Sequence, residues 1–367
     1  MNTGATLREL AGLFLKLGTI GFGGPAAHIA LMQDEVVEKR GWMDRQRFLD
    51  LVGATNLIPG PTSTELAIHI GRERSGWRGL TVAGTCFIVP ATLIVLGFAW
   101  AYVEFGETVQ AEAILYGIQP VMIAIVLQAL VRLLPAALKT VGLWIVGVLV
   151  LVAYLFGVNE LILLVGSGVL VMIVRGLGPN PGLCGFAPLA VAPIVGLDHL
   201  FLVFLKIGAV LYGSGYVLLA FLRTDLVEAL GWLTERQLID AVAVGQVTPG
   251  PLFTTATFIG YVLAGLPGAL LATLGIFLPS FILVALTHPL IERVRRSPRL
   301  SALFDGINAA ALALMAGVTF QLGLVAIRDL ISALIAIISA GLLFKTEVNN
   351  VILVIAGALA GLLRVVL

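Results

Sequence analysis

Hydrophobic residues in this chain form long continuous runs that are interrupted by short polar segments rich in glycine and proline. The runs cover residues 80–103, 113–131, 140–158, 160–174, 268–290, 303–327, 330–344 and 348–367. Because a helix needs about 20 apolar residues to cross the hydrocarbon core of a bilayer, these runs are near the length of membrane spans. The pattern therefore predicts an all-α polytopic membrane protein.

Composition agrees with this interpretation and excludes several classes of protein. The chain is 59% hydrophobic and 12% charged, against about 45–50% apolar and about 25% charged residues in soluble domains. A net charge of +1 argues against a nucleic-acid partner. The two cysteines and four histidines have no metal-ligand spacing, and the chain has no Gly-Lys-Ser/Thr phosphate loop. We expect no metal, no cofactor, no enzymatic activity and no ATP hydrolysis on this chain.

The polar interruptions occur twice in the same order, 190 residues apart. Residues 14–18 and the motif Pro59-Gly60-Pro61 recur as residues 204–208 and Pro249-Gly250-Pro251. With one residue deleted, the register continues to Gly117-Ile118-Gln119 and Gly306-Ile307-Asn308. We predict a first transporter repeat at 1–176, a linker at 177–198 that could supply one extra crossing, and a second repeat at 199–367.

The charged loops suggest that the two repeats face opposite ways. Lysine and arginine in short loops are retained on the cytoplasmic side. In the first repeat the arginines lie at 72–78 and the acidic loop at 104–112, whereas in the second repeat the counterpart of the arginine loop is uncharged and the counterpart of the acidic loop holds arginines at 293–299. The sequence therefore predicts inverted-topology repeats.

The segments around Pro-Gly-Pro and the glycine-rich motifs are either full spans or re-entrant hairpins. Four cations between residues 39 and 47 would lie outside if full spans flanked them, and inside if hairpins did. We favour broken or re-entrant helices, which gives roughly nine true spans against roughly thirteen under the alternative.

The segment from Asn56 to Glu65 is the most specific motif in the chain. Pro59 removes a backbone donor, Gly60 permits unusual backbone angles, and Pro61 suits the first position of a helix. A helix that starts here inside the membrane presents free amides, a positive dipole end and the hydroxyls of residues 62–64, and such a terminus favours anions. The second copy has Leu252 and Phe253 in place of two hydroxyls, so we favour the first copy as the binding site. The alternative is a kink that only shapes packing.

Other residues complete the predicted site. Gly21 to Pro25 can unwind a helix and bring in further amides, and the equivalent Lys16 and Lys206 can offset anionic charge, or else snorkel to the interface. The predicted substrate-binding residues are Lys16, Gly23, Gly24, Pro25, Asn56, Pro59, Gly60, Pro61, Thr62, Ser63, Thr64, Lys206, Gly213, Ser214, Gln246, Pro249, Gly250, Pro251 and Thr254. Glu65 and His28 are the candidate proton carriers, with a structural hydrogen bond as the alternative for each.

These motifs resemble the chromate ion transporter family, in its long-chain, two-domain type. The resemblance rests on residues 22–25 with His28, on Gly41-Trp42 followed by Phe48, on residues 56–61, and on the second-half counterparts through Pro249-Gly250-Pro251. It covers nearly the whole chain. The resemblance implies export of chromate from the bacterial cytoplasm, driven by the proton motive force, with sulfate as a structural analogue.

We therefore expect a secondary transporter for a tetrahedral oxyanion in a bacterial cytoplasmic membrane. Its expected partners are chromate or sulfate and the lipid bilayer. A homodimer is one assembly that the sequence allows. A passive anion channel, a sulfate transporter and an intramembrane enzyme that uses Ser63 or Ser214 are the alternative hypotheses.

Overall fold

A computed structural model describes residues 3–22, 24–55, 58–176, 196–211, 217–288, 297–346 and 348–366, and the regular structure in these ranges is helical. Four helices among them are long and apolar enough to cross a membrane. The prediction of an all-α polytopic membrane protein is confirmed. Residues 177–195 of the predicted linker at 177–198, and residues 289–296 with three of the four arginines at 293–299 that the orientation argument uses, lie outside the described residues.

The two halves of the chain contain helices in the same order. In the first half they are Thr3–Ile20 (α1), Gly24–Gln33 (α2) with a π-helical continuation Asp34–Lys39, Arg45–Thr55 (α3), Thr62–Phe105 (α4), Val109–Ala137 (α5), Val141–Leu155 (α6) and Glu160–Val174 (α7). In the second half they are Leu197–Val210 (α8), Leu218–Leu222 (α9) with a π-helical continuation Arg223–Ala229, Glu235–Val247 (α10), a 3₁₀ turn Leu252–Thr254 leading into Thr255–Thr287 (α11), Pro298–Ala326 (α12), Leu330–Lys345 (α13) and Asn350–Val366 (α14).

Helix α4 is two arms joined by a sharp reversal. Gly76 has φ 59° and ψ −144°, a left-handed backbone that favours glycine. Gly71 lies against the backbone of Gly79, although residues eight apart in a straight helix are about 12 Å apart. The short arm at 62–74 and the long arm at 77–105 therefore pack against each other as an antiparallel pair. Helix α11 has the same reversal at Gly265, with φ 60°.

Each predicted helix break is present at a Pro-Gly-Pro motif. Helix α3 ends at Thr55 and α4 begins at Thr62. Arg47, near the start of α3, forms an ion pair with Glu73, near the end of the short arm. The chain therefore enters along α3, turns at the break, and returns along the short arm to the same end, as a re-entrant hairpin does.

The two halves exchange their last helices. Helix α5 packs against α13 and α14 of the second half, and α12 packs against α6 and α7 of the first half. Glycines allow the helix backbones to touch, at Gly117 with Gly357 and at Gly306 with Gly168. Because each half completes the packing of the other, the halves form one interlocked body.

Candidate functional site

The helix breaks of the two halves meet each other through reciprocal hydrogen bonds. The backbone N–H of Gly60 donates to the carbonyl oxygen of Leu211 at 2.8 Å, and the N–H of Gly250 donates to the carbonyl of Gly21 at 2.8 Å. Leu211 and Gly21 follow the ends of α8 and α1, and both pairs are related by the 190-residue offset. We call the contact at Gly60 the first crossing and the contact at Gly250 the second crossing.

Both crossings require glycine. Gly60 has φ 139° and Gly250 has φ 90°, and side chains disfavour this backbone. A methyl group at Gly60 would overlap the carboxyl group of Glu65 and the hydroxyl of Ser280, and one at Gly250 would overlap the Cβ atom of Ala91. The glycines thus let a second backbone or side chain approach the break closely.

Buried polar groups without partners surround the first crossing. The side chain of Glu65 is fully buried, and its two carboxyl oxygens have no hydrogen-bond partner among the described residues. The hydroxyls of Thr64 and Ser280 are also buried and unpartnered within the same ranges. Burying such groups is unfavourable unless they gain a partner. The first crossing can therefore hold a proton or a polar ligand.

The first turn of α4 supplies further donors at this crossing. Its first backbone hydrogen bond runs from the N–H of Glu65 to the carbonyl of Pro61 at 3.0 Å, so the amides of residues 62–64 precede the intrahelical ladder. Ser63 is buried and Thr62 is half-buried. The Gly60 amide is not among these donors, because it is already bound to Leu211.

Most of the polar groups named at the second crossing form hydrogen bonds within the protein. The hydroxyls of Thr254 and Thr255 donate to the carbonyls of Pro251 and Leu252 at 2.9 and 2.8 Å. His28 donates from Nε2 to the carbonyl of Gly21 at 2.8 Å, the same oxygen that accepts the Gly250 amide. This contact is the structural hydrogen bond that was the alternative for His28. Of the predicted residues nearby, Gln246 keeps a buried Nε2 without a partner among the described residues.

Both predicted lysines are paired with carboxylates that the sequence analysis missed. Lys16 binds Glu35 at 2.8 Å, and Lys206 binds Asp225 at 2.5 Å. Each carboxylate lies 19 residues after its lysine, and Glu35 also contacts Lys39 at 3.3 Å. In this structure the charges of both lysines are therefore balanced by protein carboxylates, and their role in offsetting the charge of a bound anion stays a prediction.

The remaining predicted residues divide between the described segments and the rest. Gly24 begins α2 with φ 77°, and Pro25 follows in its first turn. Gly23, Asn56, Gly213 and Ser214 lie outside the described residues. Ser280 at the first crossing was not predicted. In the register with one residue deleted, Pro279 and Ser280 are the counterparts of Pro90 and Ala91.

Comparison with known proteins gives a consistent family. The chromate transporter family model matches the chain twice, over residues 8–172 and 199–362. The chain belongs to the chromate transporter family. This is a family of transporters and not of enzymes.

Several relatives match over nearly their full length. The chain is 33% identical to the "Chromate transport protein" of Cupriavidus metallidurans, over 96% of this chain and 92% of the relative. It is 33% identical to the "Probable chromate transport protein" of Synechococcus elongatus, over 98% and 95%, and 31% identical to the "Chromate transport protein" of Pseudomonas aeruginosa, over 96% and 91%. No solved structure matches the chain.

Proposed function

We propose that this protein is a secondary transporter that exports chromate across a bacterial cytoplasmic membrane and also accepts sulfate. The names of the three relatives support chromate as substrate. The observation that carries a binding site in this chain is the first crossing, where the start of α4 meets the second half beside the unpartnered groups of Thr64, Glu65 and Ser280.

The two repeats, at 1–176 and 199–367, are proposed to be inverted about an axis in the membrane plane. The long arm of α4 starts next to Glu73, and α11 ends there, since His288 lies 3.5 Å from the Glu73 carboxylate. Further along the long arm, Gly84 lies against the ring of Phe281, which precedes His288 by seven residues in α11. The packed helices therefore run antiparallel. A two-fold axis that relates antiparallel helices is perpendicular to them, which supports inverted repeats.

The first crossing has the groups that a tetrahedral dianion needs. Chromate and sulfate oxygens only accept hydrogen bonds, so their binding site must donate. The hydroxyls of Thr62, Ser63 and Thr64, together with the amides and dipole of the helix start, are donors. An ionised Glu65 would repel the anion, so we propose that Glu65 is neutral when the anion binds. Proton binding and anion binding at this crossing then support each other.

The membrane potential can drive the export of such an anion. Moving one elementary charge across 100 mV is worth about 2.3 kcal/mol. Chromate carries two negative charges, so its exit from a cell with a negative interior is favourable, and it remains favourable if one proton leaves with it. We propose that the electrical part of the proton motive force is the main driving force.

The test is chromate flux in proteoliposomes that contain the purified full chain. We expect saturable chromate flux that a membrane potential accelerates, that responds to a pH gradient, and that sulfate inhibits by competition. Flux that does not saturate and ignores the pH gradient would instead indicate a passive anion channel. Absence of chromate flux above empty liposomes would refute the proposed function.

A further inference from the structure

A column of ionisable side chains connects the first crossing with one face of the protein. Glu65, His69 and Glu73 follow each other at four-residue spacing along the short arm of α4, which places them on one helix face with about 5–6 Å between successive Cβ atoms. Glu65 and His69 are fully buried, whereas the side chain of Glu73 is 28% exposed. The column therefore runs from the crossing to the end of the hairpin.

The second half contributes one member of this column. His288, at the end of α11, places its Nδ1 atom 3.0 Å from the Nδ1 atom of His69. Its Nε2 atom lies 3.5 Å from the Glu73 carboxylate. The order of groups from inside to outside is thus Glu65, His69, His288 and Glu73. In the second half, residues 255–263 contain no carboxylate and no imidazole, so the column has no counterpart there.

The distances fit the following proton arrangement for the histidine pair. Two facing Nδ1 atoms need one proton between them. If His288 donates from Nε2 to Glu73, its Nδ1 atom accepts from the Nδ1–H of His69. The Nε2 atom of His69 then carries a lone pair, and it is buried without a partner among the described residues. This atom is available to accept a proton from the side of Glu65.

We propose that the His69–His288 pair is the proton path that connects Glu65 with the face that carries Arg47 and Glu73. In the outward direction, the Glu65 carboxyl gives its proton to His69 Nε2. His69 passes its Nδ1 proton to His288, and His288 releases its Nε2 proton to Glu73 or water. One proton enters the pair and one leaves it, and the reverse sequence delivers a proton to Glu65.

The charged residues near the histidine pair favour passage of a proton through the pair over its retention there. Arg47 from α3 is paired with Glu73, which His288 also contacts, and Arg72 follows His69 by three residues on the short arm of α4. Nearby positive charges disfavour a long-lived imidazolium on either histidine. Glu73, at the exposed end of the path, can accept the proton that leaves His288. A proton therefore passes through the pair without resting on it. Protonation of Glu65 is then set by the pH on this face.

This inference rests on the proposed function, because it supplies the proton that the anion site requires. Its test uses proteoliposomes of the full chain with a pH-sensitive dye inside, and compares His69→Gln and His288→Gln with the wild type. We expect each variant to lower proton movement and the pH response of chromate flux about tenfold. Chromate binding to each variant in detergent should stay within about twofold of the wild type. His199→Gln, in α8, is the matched histidine control and should behave as the wild type.

A second readout does not depend on chromate. A hydrophobic carbodiimide labels protonated buried carboxyl groups, so the labelling of Glu65 after a sudden pH change reports how fast a proton reaches it. We expect slow labelling in both histidine variants and none in Glu65→Gln. Wild-type labelling kinetics and an unchanged pH response in both histidine variants would overturn the proton path. Absence of chromate flux in the wild type, with labelling slowed as expected, would instead refute the proposed function alone.

Discussion

The first and second crossings have the same backbone but different chemistry. In both, a glycine amide of one half donates to the chain end after the first helix of the other half at 2.8 Å. The first crossing has Glu65 and Ser280 where the second has Thr255 and Ala91. Only the first combines unpartnered buried oxygens with a titratable column among the described residues. The comparison teaches that two crossings can share a scaffold while, within the described ranges, the first carries the groups that we propose for binding.

The largest expected effect comes from filling the space at the first crossing. Gly60→Ala forces a methyl group into the Glu65 carboxyl and the Ser280 hydroxyl and strains a backbone with φ 139°. We expect chromate flux to fall to the level of empty liposomes. Gly97→Ala, on the long arm of the same helix, has open space at its Cβ position and is the matched control. Normal flux in Gly60→Ala would remove the first crossing from the mechanism.

Removing the charge at the first crossing should have the next largest effect. Glu65→Gln keeps the shape and a permanently neutral group, so we expect chromate binding to persist while the pH dependence of flux disappears and the maximal rate falls about tenfold. The counterpart Thr255→Val should change the rate less than about twofold. The measurement is the rate of chromate flux as a function of pH for both variants. An unaltered profile in Glu65→Gln would contradict the assignment.

The hydroxyls of the two copies should also differ in importance. Thr62→Ala combined with Ser63→Ala removes two proposed donors, and we expect KM for chromate to rise about tenfold or more. Thr254→Val at the second crossing removes a hydroxyl that already donates to Pro251, so KM should stay nearly unchanged. Initial rates over a chromate concentration series check both. Equal effects of the two changes would mean that the crossings are functionally equivalent.

The smallest effects concern the two lysine pairs. Lys206→Met leaves Asp225, whose side chain is 11% exposed, without its cation, and we expect a loss of about 2 kcal/mol of stability. Lys16→Met should lower stability less, because Glu35 retains Lys39 and Arg40. Thermal unfolding in detergent measures both. A larger loss of stability in Lys16→Met than in Lys206→Met would show that burial does not determine which pair contributes more to stability.

Much of the fold could be predicted from local sequence rules. Proline and glycine fix helix breaks directly, so the ends at Thr55 and Thr62 follow from Pro59-Gly60-Pro61. The reversal at Gly76 lies within the arginine-rich segment 72–78, which the charge pattern predicts to be a loop. The exchange of α13 and α14 with α6 and α7 depends on long-range packing, which no local pattern encodes.

The candidate site was predicted only in part for the same reason. Helix-terminus chemistry predicts residues 62–65 and the glycines at the breaks as candidates, and the structure describes their geometry. The contacts of Ser280 and His288 with the first half come from residues more than 200 positions away, and one sequence carries no signal for such proximity. The carboxylate partners of the two lysines do carry a sequence signal, because the 19-residue spacing repeats in both halves.

The most direct test of the central claim is a crystal structure of the full chain grown with selenate, a tetrahedral dianion whose selenium gives an anomalous signal. We predict one anomalous peak beside Gly60, within hydrogen-bonding distance of the hydroxyls of residues 62–64. A peak at the second crossing, or an ordered first crossing without a peak at saturating selenate, would contradict the account.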